Sequence, residues 1–478
     1  MILAFFAFLT VVNSLLNMFP DQGQVMVWNQ TGILFSFLVY TVIQKRYHLP
    51  IREMLSNLAI LFLFVLNIYI VLGSFAYAML SLRYPGVLSR NYVGAHAYMT
   101  QCLLVFALTT MIIFKPIRNV KKAYFATESN KLYGLLVALG LLVTVLGILR
   151  LGFVPILSMT YGDERFSWGF GSLIGRFWRY LVYPFAYYVY SFFKSDEHRK
   201  IYRIVLALAC FLPMFALNIR FYATMATVVL VLILIEVLPK NFNPRYVLLL
   251  FVALLLAVEV PSFILEKRNV LSEKTPYMVM GSTYGDRFLN LLVIDSFSGN
   301  YAQTVDLITR YSDYRYGETL IKSALVIIPY QLLYAVGIDK TEMRSDNSAY
   351  ILAQMTSGTT STGLRTGIMG EFYVNFGVFG SIFMILWAAL LNWISAVHNR
   401  LHDKDFRKVL YYPIAASLIY GVLGQPDTIS SMFYNTFLVG FVLFLFSRRL
   451  QTSSESAANE VEPVSLKVQA QRFTQTPK

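Results

Sequence analysis

An arginine and a glutamate stand close together in the stretch LRTGIMGEFYVNFGVFG, which occupies residues 364–380. The guanidinium of Arg365 can bind phosphate or carboxylate through two parallel hydrogen bonds. Glu371 precedes an apolar run that begins at Phe376, and a partly desolvated carboxylate at such a boundary is a stronger base than one in water. The pair predicts a site for an anionic, polyhydroxylated substrate. The alternative for Glu371 is an acidic first-turn residue that the helix dipole stabilises.

Two further stretches carry a tyrosine, a carboxylate and an arginine in a similar order. They read TYGDERF at 160–166 and TYGDRF at 283–288. Such residues could bring charge and aromatic rings to a shared cleft. The alternative is a chance likeness, in which each arginine only forms a weak surface salt bridge with its neighbour. The candidate residues of the two motifs are Tyr161, Asp163, Arg165, Tyr284, Asp286 and Arg287.

Two more candidates lie at expected membrane edges. Arg220 occupies the turn between two apolar segments, and an ionisable residue in such a place predicts function because burying an unpaired charge is expensive. The alternative is an arginine whose charged end simply reaches the interface. Tyr373 lies just after Glu371. Its ring, like those of the two motif tyrosines, could stack on a sugar or could lie in the aromatic belt of the membrane interface.

The chain that must position these residues is strongly apolar. Of its 478 residues, 57% are hydrophobic and only 14% are charged, which excludes a soluble globular protein. A membrane-spanning helix needs roughly 20 predominantly apolar residues. We therefore predict an all-α polytopic membrane protein with about 12 transmembrane helices. The candidate spans are 2–19, 25–43, 58–80, 93–114, 133–150, 177–193, 204–219, 221–238, 246–265, 376–396, 410–424 and 432–447.

Basic residues concentrate in alternate loops, so the positive-inside rule places both termini in the cytoplasm. The first nine spans fall within 1–265, with an outward loop at 151–176, and the last three fall within 376–450. Residues 266–375 are too long for a plain connector and predict a large outward, periplasmic loop that contains short helices. The polar tail 451–478 is predicted to be disordered and cytoplasmic. The net charge of +14 is explained by the topology-fixing loops, so no nucleic acid is expected as a partner.

Other chemistries have little support in the sequence. The chain contains no G-x-x-x-x-G-K-[ST] motif for nucleotide hydrolysis and no G-x-S-x-G motif. His398 and His402 have a helical metal-binding spacing, but Asn399 stands where a zinc peptidase needs glutamate. We therefore predict neither a metal nor a cofactor.

Three of these features together resemble the Wzy-type oligosaccharide repeat-unit polymerases, which are integral membrane glycosyltransferases of the GT-C kind. They are LGFVPILSMTYGDERF at 151–166, the hairpin around Arg220, and TGLRTGIMGEFYVNFGVFG at 362–380. The family has functional arginines in two outward loops, each with a glycine downstream. Arg287 with Gly299 and Arg365 with Gly377 look like that arrangement, at slightly longer intervals than in the family.

The resemblance implies a reaction at the outer face of a bacterial inner membrane. Its substrate would be an oligosaccharide on polyprenyl (undecaprenyl) diphosphate, which needs no nucleotide or metal, and the product would be an O-antigen, capsule or exopolysaccharide. Arginines would stabilise the departing diphosphate, and a carboxylate would take the acceptor's proton. The implied diphosphate-binding residues are Arg165, Arg220, Arg287 and Arg365, and the implied base is Glu371, with Asp163 or Asp286 as substitutes. Membrane lipids, a chain-length regulator and a flippase are the expected partners.

Two alternatives remain. A flippase or transporter would show internal repeats and ionisable residues deep within spans, and neither is clear in this sequence. An O-antigen-ligase-like glycosyltransferase would need an outward histidine. The only one expected here is His96, at the start of a span and far from the large loop, which favours a polymerase over a ligase.

Overall fold

The chain is a helical assembly held together by an apolar core. The computed structural model describes residues 2–19, 22–83, 92–116, 123–127, 129–151, 179–194, 200–216, 220–237, 299–325, 328, 334–335, 337, 348–357, 366–401, 406–422, 426–445 and 447–452. Among these, helices lie at every predicted apolar segment except 246–265, which is outside the described residues.

The elements fall into three stretches of chain. The first contains α1 Ile2–Ser14 with a 3-10 turn Leu15–Met18, α2 Gly23–Tyr47, α3 Ile51–Leu55, α4 Leu58–Arg83, α5 Tyr92–Ile113, β1 Ala123–Thr127 and α6 Ser129–Leu151. The second contains a 3-10 turn Arg179–Leu181, α7 Val182–Lys194, α8 Lys200–Ala216, α9 Arg220–Val237, α10 Gly299–Arg310, α11 Glu318–Leu325 and α12 Ser348–Ser357. The third contains α13 Gly367–Phe376, a 3-10 segment Gly377–Phe383, α14 Met384–Asn399, α15 Phe406–Tyr420, α16 Pro426–Leu445 and β2 Ser447–Thr452.

The apolar helices pack into two adjoining groups. Helices α1, α2, α4, α5 and α14 contact one another in the first group, and α6, α7, α8, α9, α15 and α16 form the second. Contacts of α15 with α4 and α14 join the groups. Large apolar side chains are also exposed on α1, α6, α8, α14 and α16. Exposed apolar faces on helices of this composition are the arrangement that a lipid environment favours.

Four stretches are long and apolar enough to cross a membrane: Gly23–Tyr47, Leu58–Met79, Tyr92–Ile113 and Gly367–Asn399. The predicted helical class is confirmed for the described residues, and these four stretches support a membrane protein. The number of about 12 spans and the outward position of the large loop remain predictions. The last apolar stretch begins at Gly367, upstream of the predicted Phe376, because apolar residues of α13 continue the run around the single charge of Glu371.

One part of the described chain departs from the all-α prediction. Strands β1 and β2 pair antiparallel, with Phe125 opposite Leu450, and β1 contacts α15. The sequence of β2, SRRLQT, includes residues 451 and 452, which were assigned to the tail. The rest of the predicted tail lies outside the described residues.

The described part of the segment 266–375 contains α10, the turn 311–317, α11, α12 and all but the last residue of α13, together with residues 328, 334–335, 337 and 366. Helix α10 packs against α4, α5 and α13, while α11 contacts α13 and α16, and α12 lies against α10 and α13. The short helices expected in this segment are therefore present, and they dock on the apolar helices instead of forming a separate domain. Polar residues at that junction form the candidate site.

Candidate functional site

The start of α13 is fixed against the end of α15 by a glycine. Gly367 has φ of 63°, a left-handed conformation that residues with a Cβ rarely adopt. A Cβ added there would lie 2.1 Å from the carbonyl oxygen of Val422. The next residue, Ile368, donates its backbone N–H to the carbonyl oxygen of Gly421 at 2.8 Å. The sequence TG before the apolar run thus lets two helices approach at backbone distance, and this approach sets the position of Glu371.

Glu371 is completely buried where three helices of the segment meet. Its Oε1 accepts a hydrogen bond from the hydroxyl of Thr319 in α11. Its Oε2 accepts the backbone N–H of Ser348, the first residue of α12, at 3.1 Å. A buried carboxylate is costly unless donors satisfy it, and these two donors come from separate elements. Glu371 therefore joins α11, α12 and α13 to one another.

Asn375, one helical turn beyond Glu371, extends this cluster. It is also fully buried, and its Nδ2 donates to the hydroxyl of Thr319 at 2.6 Å and to the carbonyl oxygen of Glu371 at 2.8 Å. Its Oδ1 accepts the backbone N–H of Gly317 at 2.9 Å. The amide thus uses both ends and connects the carboxylate to the turn that precedes α11.

A second line of polar groups runs from α12 into the apolar helices. The hydroxyls of Ser348 and Thr366 are 2.6 Å apart. The carbonyl oxygen of Thr366 accepts the hydroxyl of Thr304 in α10 at 2.9 Å. The carbonyl oxygen of Asn300 lies equally close to the Thr304 hydroxyl, at 2.9 Å. Since the single proton of Thr304 goes to one of these two carbonyls, Tyr69 of α4 donates its phenolic O–H to Thr304 across 3.0 Å. Every side chain in this line is at most 1% exposed, so the line fixes the segment to the helices below it.

Tyr301 inserts its ring into the helices next to this line. The ring is fully buried beside Tyr69 and Tyr77 of α4, and its hydroxyl is hydrogen-bonded to Nδ1 of His96 in α5. The expectation that His96 lies far from the large loop is therefore wrong, because helix packing brings distant parts of the chain together. The Nε2 of His96 has no hydrogen-bond partner among the residues that the structure describes.

Gly73 of α4 makes room for the Tyr301 ring, and this predicts a local effect of a single methyl group. A Cβ at Gly73 would approach the ring and Cβ of Tyr301 to between 2.5 and 2.9 Å, so α10 must shift. We expect Gly73→Ala to increase hydrogen–deuterium exchange in residues 299–310. Gly134→Ala is the matched control, because its Cβ would meet only the Tyr188 hydroxyl at 3.7 Å. Equal exchange in the two variants would contradict a tightly seated ring.

The outer side of α10 carries one further carboxylate. Burial raises the pKa of Asp306, while the nearby Arg310 opposes this shift. The Arg310 Nε lies 2.9 Å from Oδ1 of Asp306. Asp306 is thus a partly accessible carboxylate on the same helix that carries Thr304 and Tyr301. Sequence reasoning missed it because it lies in an ordinary helical i, i+4 charge pair.

The structure places three of the residues predicted for the site. Glu371 lies in the buried cluster described above. Tyr373 is 8% exposed and packs edge-on against Tyr98 and Tyr314, so its ring is occupied by protein in this conformation. Arg220 is the first residue of α9. The remaining candidates lie outside the described residues: Tyr161, Asp163, Arg165, Tyr284, Asp286, Arg287 and Arg365.

A second buried cluster was not predicted. Oε2 of Glu236 in α9 lies 2.8 Å from Nε2 of His398 and accepts the phenolic O–H of Tyr412 at 2.7 Å. Oε1 of the same carboxylate lies 2.7 Å from Nζ of Lys408, and the His398 ring stacks on Tyr411 at 3.6 Å. The sequence feature that indicates this cluster is Glu236 itself, a glutamate in the last turn of an apolar helix. A carboxylate in such a place needs a partner.

These features describe a helical protein with four stretches long and apolar enough to cross a membrane, and with a polar segment docked on its apolar helices through a buried carboxylate. No group of three or more possible metal ligands occurs among the residues that the structure describes. No family model, curated protein or solved structure matches the chain. The chemistry of the residues themselves must therefore carry any assignment of function.

Proposed function

We propose that this protein polymerises oligosaccharide repeat units carried on polyprenyl diphosphate, at the outer face of a bacterial cytoplasmic membrane. The observation that carries the proposal is the buried Glu371 cluster. It holds a polar, arginine-bearing segment against apolar helices, where a substrate with a lipid tail and a sugar head would have to lie. In the sequence TGLRTG, which leads into α13, Arg365 directly precedes Thr366. Thr366 is hydrogen-bonded to Ser348 and belongs to the cluster.

The proposed reaction is a single glycosyl transfer. A hydroxyl oxygen of the acceptor sugar forms a bond to the anomeric carbon of the donor. The bond between that carbon and the diphosphate oxygen breaks, and the polyprenyl diphosphate leaves with the electron pair. Arg165, Arg220, Arg287 and Arg365 would stabilise the charge on the leaving diphosphate. A carboxylate takes the hydroxyl proton.

Glu371 has two possible roles in this proposal. Both of its oxygens already accept hydrogen bonds, from Thr319 and from Ser348, and such a carboxylate holds the segment in position. It acts as the base only if the contact with Thr319 opens during turnover. Asp163, Asp286 and the partly accessible Asp306 are the other carboxylates that could take the proton.

The test is polymerisation of the native lipid-diphosphate repeat unit by the purified full-length protein, measured as a ladder of glycan lengths. We expect Arg365→Ala to lower the rate by about 100-fold or more, because a charge-stabilising donor is lost. Glu371→Gln should lower it by a similar factor. Glu53→Gln is the control, since this carboxylate is exposed on the short helix α3 and lies outside the segment that carries the site.

Thr319→Val separates the two roles of Glu371. It removes the hydroxyl donor and keeps the carboxylate. A large loss of rate would indicate that Glu371 positions the segment, and a small loss would indicate that Glu371 acts as the base. A folded wild-type protein that forms no ladder from a verified substrate would contradict the proposal. So would unchanged rates in both Arg365→Ala and Glu371→Gln.

Two other functions have specific observations in their favour. A ligase-like transfer to a different acceptor would need a histidine near the large segment. The contact between His96 and Tyr301 shows that His96 lies beside that segment. The buried Glu236 cluster is the ionisable group that a transporter requires, but Lys408 and His398 lie at the ends of their helices and not at the middle. The ladder assay distinguishes polymerase, ligase and transport because only a polymerase joins repeat units to one another.

A further inference from the structure

The turn before α11 presents a tyrosine to solvent in an unusual backbone conformation. Tyr316 has φ of 47°, although bulky residues are rarely found in the left-handed region. Its side chain is 82% exposed, the largest exposure among the large hydrophobic residues that the structure describes. Among the residues that the structure describes, no packing of the ring explains either property.

The backbone around Tyr316 is held firmly by α13. The N–H of Arg315 donates to the carbonyl oxygen of Val374 at 3.0 Å, and the N–H of Tyr316 donates to that of Asn375 at 2.9 Å. The following N–H, of Gly317, donates to the side chain of Asn375. Three successive N–H groups are thus satisfied by one helix end. Strained residues persist only where surrounding contacts determine them, and they are concentrated at functional sites.

Polar residues lie next to Tyr316 in the chain: Arg315 directly precedes it and Glu318 follows two residues later, and Nη1 of Arg315 lies 4.0 Å from Oε2 of Glu318. Nε of Arg315 donates to the phenolic oxygen of Tyr311 at 3.2 Å, which holds the planar guanidinium in place beside the turn. Arg315 and Glu318 remain 38% and 46% exposed. An exposed tyrosine on a firmly held backbone, beside exposed hydrogen-bonding groups, is a combination that can recognise a sugar. The C–H face of the sugar stacks on the aromatic ring, and the sugar hydroxyls bond to the neighbouring polar side chains.

We propose that Tyr316 is the stacking platform of a glycan-binding subsite, flanked by Arg315 and Glu318. The inference rests on the proposed function and names the part of the substrate that this surface takes, a sugar chain without its lipid. Asn375 links the subsite to the buried carboxylate, because it contacts Gly317, Thr319 and Glu371 at once. A glycan held here lies over the cluster that positions the segment.

The test measures binding of lipid-free glycans to the full-length protein in nanodiscs, by saturation-transfer NMR and titration calorimetry. The probes are oligosaccharides cut from the host's surface polysaccharide. They have no diphosphate and cannot react, so binding is separated from turnover. We expect Tyr316→Asn to weaken binding about five- to tenfold through loss of stacking. Asparagine tolerates a positive φ, so the fold and its thermal midpoint should be retained. Tyr316→Phe, which keeps the ring, should bind within about twofold of wild type.

Tyr334→Asn is the matched control, because Tyr334 is another exposed tyrosine of the same segment, at 69%. Its affinity should equal that of the wild type. Equal losses in the Tyr316 and Tyr334 variants would indicate a general interfacial role for tyrosines and would overturn the proposal. Unchanged affinity in Tyr316→Asn, or no binding to the wild type, would also overturn it.

The outcome is independent of the polymerase assay. If binding depends on Tyr316 but the protein forms no ladder, the glycan subsite is supported and the polymerase function is contradicted. If the wild type forms a ladder and Tyr316→Asn binds glycan with full affinity, the subsite is contradicted and the polymerase function is supported.

Discussion

Glu236→Gln is expected to lower the free energy of unfolding by about 3–5 kcal/mol, because it removes a carboxylate that pairs with the buried Lys408 at 2.7 Å. The Lys408 side chain is just 6% exposed, so its charge cannot reach water without local opening. Glutamine keeps the shape, and its oxygen can still accept from Tyr412 and His398. The loss therefore reports the charge of Glu236 together with its hydrogen bond to Lys408. The measurement is the thermal or denaturant midpoint of the purified protein in detergent.

The double variant Glu236→Gln with Lys408→Met is the decisive control. Replacing both members of a buried ion pair by neutral groups of similar size is often close to neutral, whereas removing one member is costly. We expect the double variant to recover most of the lost stability. If the single variant matched wild type, or if the double variant were no more stable than the single, the carboxylate would not be compensating a buried charge.

Gly367→Ala is expected to lower the free energy of unfolding by about 2–4 kcal/mol, the sum of left-handed backbone strain and a forced backbone shift. The new Cβ would lie 2.1 Å from the carbonyl oxygen of Val422, an approach that only movement of α13 away from α15 relieves. Such movement would break the hydrogen bond from Ile368 to Gly421. It would also displace Glu371, so the rate of the proposed polymerisation should fall together with stability.

Gly94→Ala provides the matched control for that substitution. Gly94 lies on the exposed side of α5, and a Cβ there would meet nothing within 4 Å. Because alanine favours a helix over glycine, its thermal midpoint should equal or exceed that of the wild type. A midpoint for Gly367→Ala that matched Gly94→Ala would show that α13 and α15 do not meet at backbone distance.

Composition and apolar run lengths were sufficient to predict the class. Both are local properties, since a helix satisfies its own backbone hydrogen bonds and needs only apolar side chains to lie in lipid. Helices accordingly lie at the predicted segments throughout the described chain. The same approach began the tenth span at Phe376, whereas the apolar stretch of the structure begins at Gly367 and includes Glu371. Thr319 and Ser348 make the burial of Glu371 within that stretch possible.

The individual candidates show the limit of local patterns. Arg365 and Glu371 were chosen for their types and neighbours, and the structure shows that the carboxylate lies at a junction of elements. Tyr373 has the same favourable neighbours, yet its ring packs against other tyrosines. Tyr316 drew no attention in the sequence, because neither its positive φ nor its exposure can be read from the letters around it.

The sequence by itself determined that this is an apolar, helical chain with an arginine and a glutamate beside its last group of helices. The tertiary structure alone decided which polar groups meet. Glu371 finds Thr319 in a different helix, His96 finds Tyr301, and Glu236 finds Lys408. The physical reason is that apolar burial depends on the length and composition of a segment, whereas a buried polar group is tolerated only where packing supplies its specific partner.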